Sequence, residues 1–303
     1  MNNDCLLRTA LGANALFSTT TGLAMAAFPD AIGTLIGLES AFLLMIVGLG
    51  LIVYSVFLLV LARGGMLTIL SLIATFGDLA WTTGTALLFA VAPSVFSITG
   101  WAIASLVAII VFLFAVLQLV GIRKHFRSGT SDTGERYQIC FAIPVSVDED
   151  AIWEAIRDVG SIHRFAPSLV SSDVTATSDE QCVARTCTNI KNQRWTELIQ
   201  VDESQKQLVV RFDADAPDFP FPVSSMSGGW RVLNGNEASH AIVRVWWSFS
   251  LRKDWVAAIL LPLMEIGMQS QIRGVVTNME TAIGPHAAAV ATRRRSVFAM
   301  GGC

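Results

Sequence analysis

A chain of 303 residues that is 53% hydrophobic and only 15% charged falls well short of the ~25% charged share of ordinary soluble domains. Its net charge of −3 provides no broad basic face, which argues against a nucleic-acid partner. The shortage of charge is local: between Thr9 and Gly121 the charged residues are Asp30, Glu39, Arg63 and Asp78, and from Arg123 onward they are frequent. The two halves therefore answer to different solvents.

In chain order, Leu6 to Ala27 is the first apolar run, weakened by Arg8 and by Ser18-Thr19-Thr20-Thr21. Ala41 to Ala62, Met66 to Ala92 and Ile98 to Val120 follow, each long enough for the ~20 residues that cross a hydrocarbon core as helix. In lipid the backbone must satisfy its own hydrogen bonds, so four helices are expected. The front of the first run carries Asp4 and a single Arg8, a poor signal-peptide start, and it is expected to be retained. Arg8, Arg63, Arg123, Lys124 and Arg127 would all lie on one side of four such spans. The positive-inside rule then puts both termini in the cytoplasm of an inner-membrane, multi-pass protein.

Asp78 interrupts the third run. A carboxylate there costs at least ~2.5 kcal/mol to insert and should face protein. Asp78, Thr82 and Thr85 share one helical stripe, and Asn14, Ser18 and Thr21 another. The two stripes are expected to meet and hydrogen-bond, either as packing glue or as a site that responds to protons or lipid headgroups.

Gly121-Ile122-Arg123-Lys124-His125-Phe126-Arg127 marks the change of solvent. The expected layout is a four-span domain over 1–122, a juxtamembrane linker over 123–135, a soluble domain over 136–284 and a flexible basic tail over 285–303. The linker is small and polar from Arg127 to Gly134, which suits a tether. His125, beside Arg and Lys, is expected to be exposed. The tail carries Arg293-Arg294-Arg295.

Beyond Arg136 the period changes. Tyr137, Ile139, Phe141 and Ile143 alternate with Gln138, Cys140 and Ala142, as in a half-buried strand. A helix follows, with Ser146 as its cap and Glu149 at capping-box spacing. Ile152, Trp153 and Ile156 form its apolar stripe. Ser161 to Phe165 is a second short helix. Strands are predicted at Leu169–Thr175, Cys182–Thr188, Arg194–Val201, Gln207–Ala214, Met226–Leu233 and Ala238–Leu251. The turn-sized gaps between them imply an antiparallel meander. Last comes a helix with Met264, Met268, Ile272, Val275, Met279 and Ile283 on one stripe. A curved sheet must cover its concave face, and this helix is the available cover, with adaptable Met where Leu would be ordinary. The fold class is thus an all-α four-helix transmembrane bundle followed by an α+β helix-grip domain.

This order resembles the START-like helix-grip superfamily, and within it the polyketide cyclase/dehydrase and lipid-transport family. The residues that carry the resemblance are Ile143-Pro144-Val145-Ser146 with Ala151 to Ile156, then Ile162 to Pro167, Gly228-Gly229-Trp230-Arg231-Val232, the strand Ile242 to Leu251, and Pro262 to Ile283. The resemblance implies a hydrophobic cavity between sheet and long helix, used elsewhere for lipids, sterols, quinones or polyketides.

Strand alternation puts Tyr137, Ile139 and Phe141; Trp195, Glu197, Ile199 and Val201; Leu208, Val210 and Phe212; Met226, Trp230 and Val232; and Val243, Val245, Trp247 and Phe249 on the inward face. With Met264, Met268, Ile272 and Met279 of the helix, these supply the candidate ligand-binding residues Tyr137, Phe141, Trp195, Glu197, Phe212, Met226, Trp230, Val245 and Trp247. Glu197 is the single charge among them. It is either a desolvated polar anchor or proton donor, or a structural partner of Arg185 or Arg211. No nucleophile motif, phosphate loop or H-E-x-x-H stands in the sequence. The five cysteines (Cys5, Cys140, Cys182, Cys187 and Cys303) lack metal-ligand spacing and are expected as free thiols, with no metal and no cofactor. The expected function is binding or transfer of a hydrophobic ligand such as a lipid or isoprenoid beside the membrane. A membrane-bound cyclase, aromatase or dehydratase is the alternative, with Glu197 as its catalytic candidate, and a ligand-occupancy sensor is a further one. The expected partners are membrane lipids and a hydrophobic small molecule; the sequence leaves oligomeric state open.

Overall fold

The computed structural model describes residues 4–64, 68–128, 134–179, 182–236 and 239–284. The expected basic tail, 285–303, and most of the expected tether lie outside the described residues. The chain divides into two compact units, 1–125 and 126–303.

The first unit is all helix: α1 (Cys5–Ala27), α2 (Pro29–Ile36), α3 (Ala41–Arg63), α4 (Thr68–Val91) and α5 (Ile98–His125). Gly37, in the left-handed region at φ 78°, ends α2, where a side chain would be strained. Ser40 caps α3 by accepting from the Leu43 amide at 3.3 Å. Helices α3, α4 and α5 are each long and apolar enough to cross a membrane. Helix α1 is equally long but more polar, and it is sunk into the bundle along Leu7, Leu11, Asn14, Ala15, Ser18 and Gly22. It meets α3 at unusually close range: a Cβ on Gly22 would lie 2.7 Å from the Gly48 carbonyl oxygen, and one on Gly48 2.7 Å from that of Gly22. Small residues permit such approach where lipid supplies no hydrophobic drive.

Helix α5 does not stop at the basic cluster but continues through Arg123 and Lys124 to His125. This overturns the expectation for His125. The extra turn carries the ring inward, where it is buried, with Nδ1 2.6 Å from Asp4 Oδ1.

The second unit is, over its described residues, a seven-stranded antiparallel sheet with two α-helices and two 3-10 turns. Its strands are β1 (Tyr137–Val145), β2 (Leu169–Asp179), β3 (Cys182–Asn189), β4 (Arg194–Asp202), β5 (Gln207–Phe212), β6 (Val223–Asn236) and β7 (Ser239–Leu251), in spatial order β1-β7-β6-β5-β4-β3-β2. Between β1 and β2 come α6 (Glu149–Arg157) and a 3-10 turn, Val159–Arg164. The sheet is a simple meander from β2 to β7, and β1 forms its other edge by pairing with β7. The edge strand β2 steps out of regular register against β3 at three places.

Helix α6 begins later than expected. Asp148, not Ser146, caps it, accepting from the Asp150 amide at 3.1 Å. The Ser146 amide is engaged instead by Glu280 Oε1 at 2.7 Å. The last element, α7 (Ala257–Ile283), is entered through a 3-10 turn, Asp254–Val256. The stretch Asp254–Ile283 is a fourth segment long and apolar enough to cross a membrane, but here its apolar residues Leu261, Met268, Ile272, Val276 and Met279 are buried within the second unit. Cys5 and Cys187 are free thiols, whereas Cys140 is disulfide-bonded, which departs from the expectation of five free thiols.

Candidate functional site

Residues paired across an antiparallel sheet share a face, so the register fixes what looks inward. Tyr137 is opposite Phe249, Ile139 opposite Trp247 and Phe141 opposite Val245. Trp247 is opposite Gly228, Val245 opposite Trp230 and Phe249 opposite Met226. Leu208 then matches Trp230 and Phe212 matches Met226. Glu197 matches Phe212, Arg185 matches Glu197, and Cys187 matches Trp195. The candidate residues of the strands thus lie on one continuous face.

That face is not uniformly filled. Tyr137, Phe141, Met226 and Val245 are almost fully buried. Phe212, Trp230 and Trp247 keep part of their surface accessible. Trp247 and Trp230 stand on interior strands, flanked on both sides, so their exposure does not come from a sheet edge. Two consecutive glycines make room for two consecutive tryptophans. A Cβ on Gly228 would lie 3.0 Å from Trp247 Cδ1, and one on Gly229 would lie 2.4 Å from Trp246 Cζ2. Trp247 therefore lies across β6 on the inner face and Trp246 on the outer face.

Helix α7 is pinned at both ends. At its start the Tyr137 hydroxyl donates to Asp254 Oδ1 at 2.6 Å, and Arg136 lies 3.5 Å from the other carboxylate oxygen. Near its end Glu280 accepts from the Ser146 amide, and Asn278 Nδ2 donates to the Phe165 carbonyl at 2.8 Å. Between these anchors Met268, Ile272 and Met279 are buried, and Met264 keeps partial exposure. Tyr137 thus belongs to the inward face through its ring and to the helix anchor through its hydroxyl.

The polar end of the face is built around Glu197. Arg185 donates to Glu197 Oε2 from both Nε (3.0 Å) and Nη2, and from Nη1 to the Val159 carbonyl at 2.6 Å. Trp195 Nε1 donates to Glu197 Oε1 at 2.8 Å. Glu197 is therefore not the lone charge that its strand suggests: of the two arginines considered, the register selects Arg185. Arg211 is opposite Leu198 and belongs to the outer face. Burial, then the negative charge of Glu197, push the neighbouring Cys187 thiol up to about 12. Beside this pair the Ser172 hydroxyl donates to the Gly160 carbonyl at 2.6 Å, and His163 Nδ1 lies 2.7 Å from Ser172 Oγ. Among the described residues no cluster of three or more His, Cys, Asp or Glu could hold a metal.

A second polar cluster lies inside the helical unit. Asp78 Oδ2 accepts from Asn14 Nδ2 at 2.7 Å and Gln118 Nε2 at 2.9 Å, and Oδ1 accepts from the Tyr54 hydroxyl at 2.9 Å. Thr75 donates to Gln118 Oε1 at 2.8 Å, and Ser18 to Asn14 Oδ1 at 3.3 Å. The cluster joins α1, α3, α4 and α5. Thr82 and Thr85 are not part of it: Thr82 donates to the Asp78 backbone carbonyl and Thr85 to that of Trp81. Tyr54 and Gln118 escape a sequence reading because neither belongs to a polar stripe of its own run, and only the packing of the helices brings them to Asp78.

A curved antiparallel sheet gripping a long terminal helix defines the second unit as a helix-grip domain. Residues 141–284 match the family described as polyketide cyclase / dehydrase and lipid transport. The similar solved structures include the Zhui aromatase/cyclase from Streptomyces sp. R1128, at 17% identity and TM-score 0.41, covering 48% of this chain and 93% of that one. A Thermobifida fusca protein solved by solution NMR aligns at 18% identity and TM-score 0.40, covering 48% and 95%. Norcoclaurine synthase from Thalictrum flavum aligns at 12% identity and TM-score 0.38, covering 48% and 85%. No curated protein matches the chain.

Proposed function

We propose that the helix-grip domain binds a hydrophobic ligand, such as a lipid or isoprenoid, between its sheet and α7, and that the N-terminal helices keep it beside the membrane that holds that ligand. One observation carries this reading: Trp230 and Trp247, on interior strands and facing inward, remain partly accessible together with Phe212 on a largely buried apolar face. A ligand seated there would bury apolar surface at roughly 25 cal/mol per Å². Tethering would raise the local concentration of a membrane-dissolved ligand without any new contact.

A cyclase or dehydratase activity also falls within the family's description. The acid on which it would rest, Glu197, is already engaged by Arg185 and Trp195. Binding therefore stands ahead of catalysis. The site residues proposed for the ligand are Phe212, Trp230, Trp247 and Met264 at the accessible part, backed by Phe141, Met226, Val245, Met268, Ile272 and Met279.

For orientation, Arg8 Nη1 donates to the Ala62 carbonyl at 2.8 Å, next to Arg63, and Asp4 pairs with His125, next to Lys124. Basic residues thus gather at one end of the helical unit. By the positive-inside rule we assign that end, and with it the helix-grip domain, to the cytoplasm.

The test is mass spectrometry of compounds that co-purify with the full chain. A hydrophobic compound enriched over the surrounding membrane, and lost several-fold in Trp230→Gln, is the expected result. Recovery of bulk membrane lipid alone, unchanged by the variant, would refute the reading.

A further inference from the structure

Helix α7 is apolar on two faces over its first half and on one face over its second. The inward face runs the whole length. The outward face changes character. Trp255, Ile259, Leu263 and Ile266 recur at steps of four, four and three, one stripe, with exposures of 81%, 42%, 51% and 44%. Further along, the exposed positions are Ser270, Gln271, Arg273, Asn278, Thr281 and Ala282, none of them large and apolar. Covering the sheet needs one apolar face only. The exposed stripe therefore answers to something outside the domain.

The position of the stripe says what. Its first residue, Trp255, follows Asp254, the residue that the Tyr137 hydroxyl holds at 2.6 Å. The residue after Tyr137, Gln138, donates its amide N–H to the Phe126 carbonyl at 2.8 Å. Phe126 directly follows α5, which is long and apolar enough to cross a membrane. Two hydrogen-bonded steps thus connect the head of the stripe to the residue that directly follows α5. Trp255, the most exposed large apolar side chain of the four, leads the stripe, and tryptophan favours the boundary between water and lipid.

We infer that the stripe Trp255–Ile259–Leu263–Ile266 docks on the surface of a glycerophospholipid bilayer, with α7 lying in the interface along its first half. An interfacial helix buries one apolar face at the headgroup boundary; α7 does so outwardly while its opposite face stays on the sheet. This surface does not depend on what the domain binds inside.

The test is photo-crosslinking with the full chain in nanodiscs of phosphatidylethanolamine and phosphatidylglycerol, doped with a phospholipid that carries a diazirine on its acyl chain. Trypsin cleaves after Lys253 and Arg273, which isolates residues 254–273 as one peptide. Lipid adducts are expected on Trp255, Ile259, Leu263 or Ile266, and the double variant Ile259→Gln/Leu263→Gln, at exposed positions, should cut their yield about tenfold while adducts on 41–63 persist. Adducts on 41–63 with none on 254–273 would overturn the proposal. So would adducts confined to the inward Met268 and Ile272, or a stripe shielded by a second copy of the chain.

Discussion

Arg185 and Glu197 illustrate how much a single residue's role depends on what faces it. Both side chains are at most 10% exposed, and a buried pair is costly to break because the surviving charge is stranded. Arg185→Met alone should lower unfolding stability by about 3–5 kcal/mol, and Arg185→Met/Glu197→Leu should recover most of that loss. Denaturant unfolding of the full chain in detergent measures both; a single variant as stable as the parent would show that the pair holds nothing. Cys187 gives a second check. Its thiol is raised from 9.0 to about 12, so in the folded state it keeps a proton that the unfolded chain releases. That contribution to stability is present below pH 9 and is lost as pH rises from 9 towards 12. At pH 8 iodoacetamide should therefore alkylate the exposed Cys5 and spare Cys187 until the domain unfolds, as peptide mapping would reveal. Alternation along β4 was enough to put Glu197 inward. The choice between Arg185 and Arg211 was not legible, because it depends on which strand registers against which.

Helix α1 shows the same limit at the level of an element. Its helical period was readable, and so was its polar stripe. Its depth in the bundle was not, since that comes from Gly22 and Gly48 meeting across two helices that are separate in sequence. A side chain at Gly48 would also crowd the Ala26 amide at 2.8 Å. Gly48→Leu should push α1 from α3 and cost about 1–3 kcal/mol through overpacking. Gly50→Leu, where a Cβ meets nothing within 4 Å, should be neutral. Thermal unfolding of both variants in the same detergent decides it. The end of α5 is a related case: a run of Arg, Lys and His looks like a helix leaving the membrane, yet the last turn delivers His125 to Asp4. Local charge marks where solvent changes; it does not mark where hydrogen bonding ends.

At the scale of the whole chain, the split into an apolar half and a charged half was written in the spacing of ionisable residues, and the order of strands and helices in the second half was enough to give its fold. Composition alone would have miscounted, because Asp254–Ile283 is as qualified to cross a membrane as α4 by length and apolarity. Only the sheet that it covers distinguishes it. The edge strand β2 of that sheet has a consequence of its own. Open β edges invite addition of further chains, the route by which many sheets grow into fibres. With its three breaks of register, β2 presents no straight row of amides to a newcomer, and bulged strands twist away from such pairing. The domain is thereby protected from polymerising along that border.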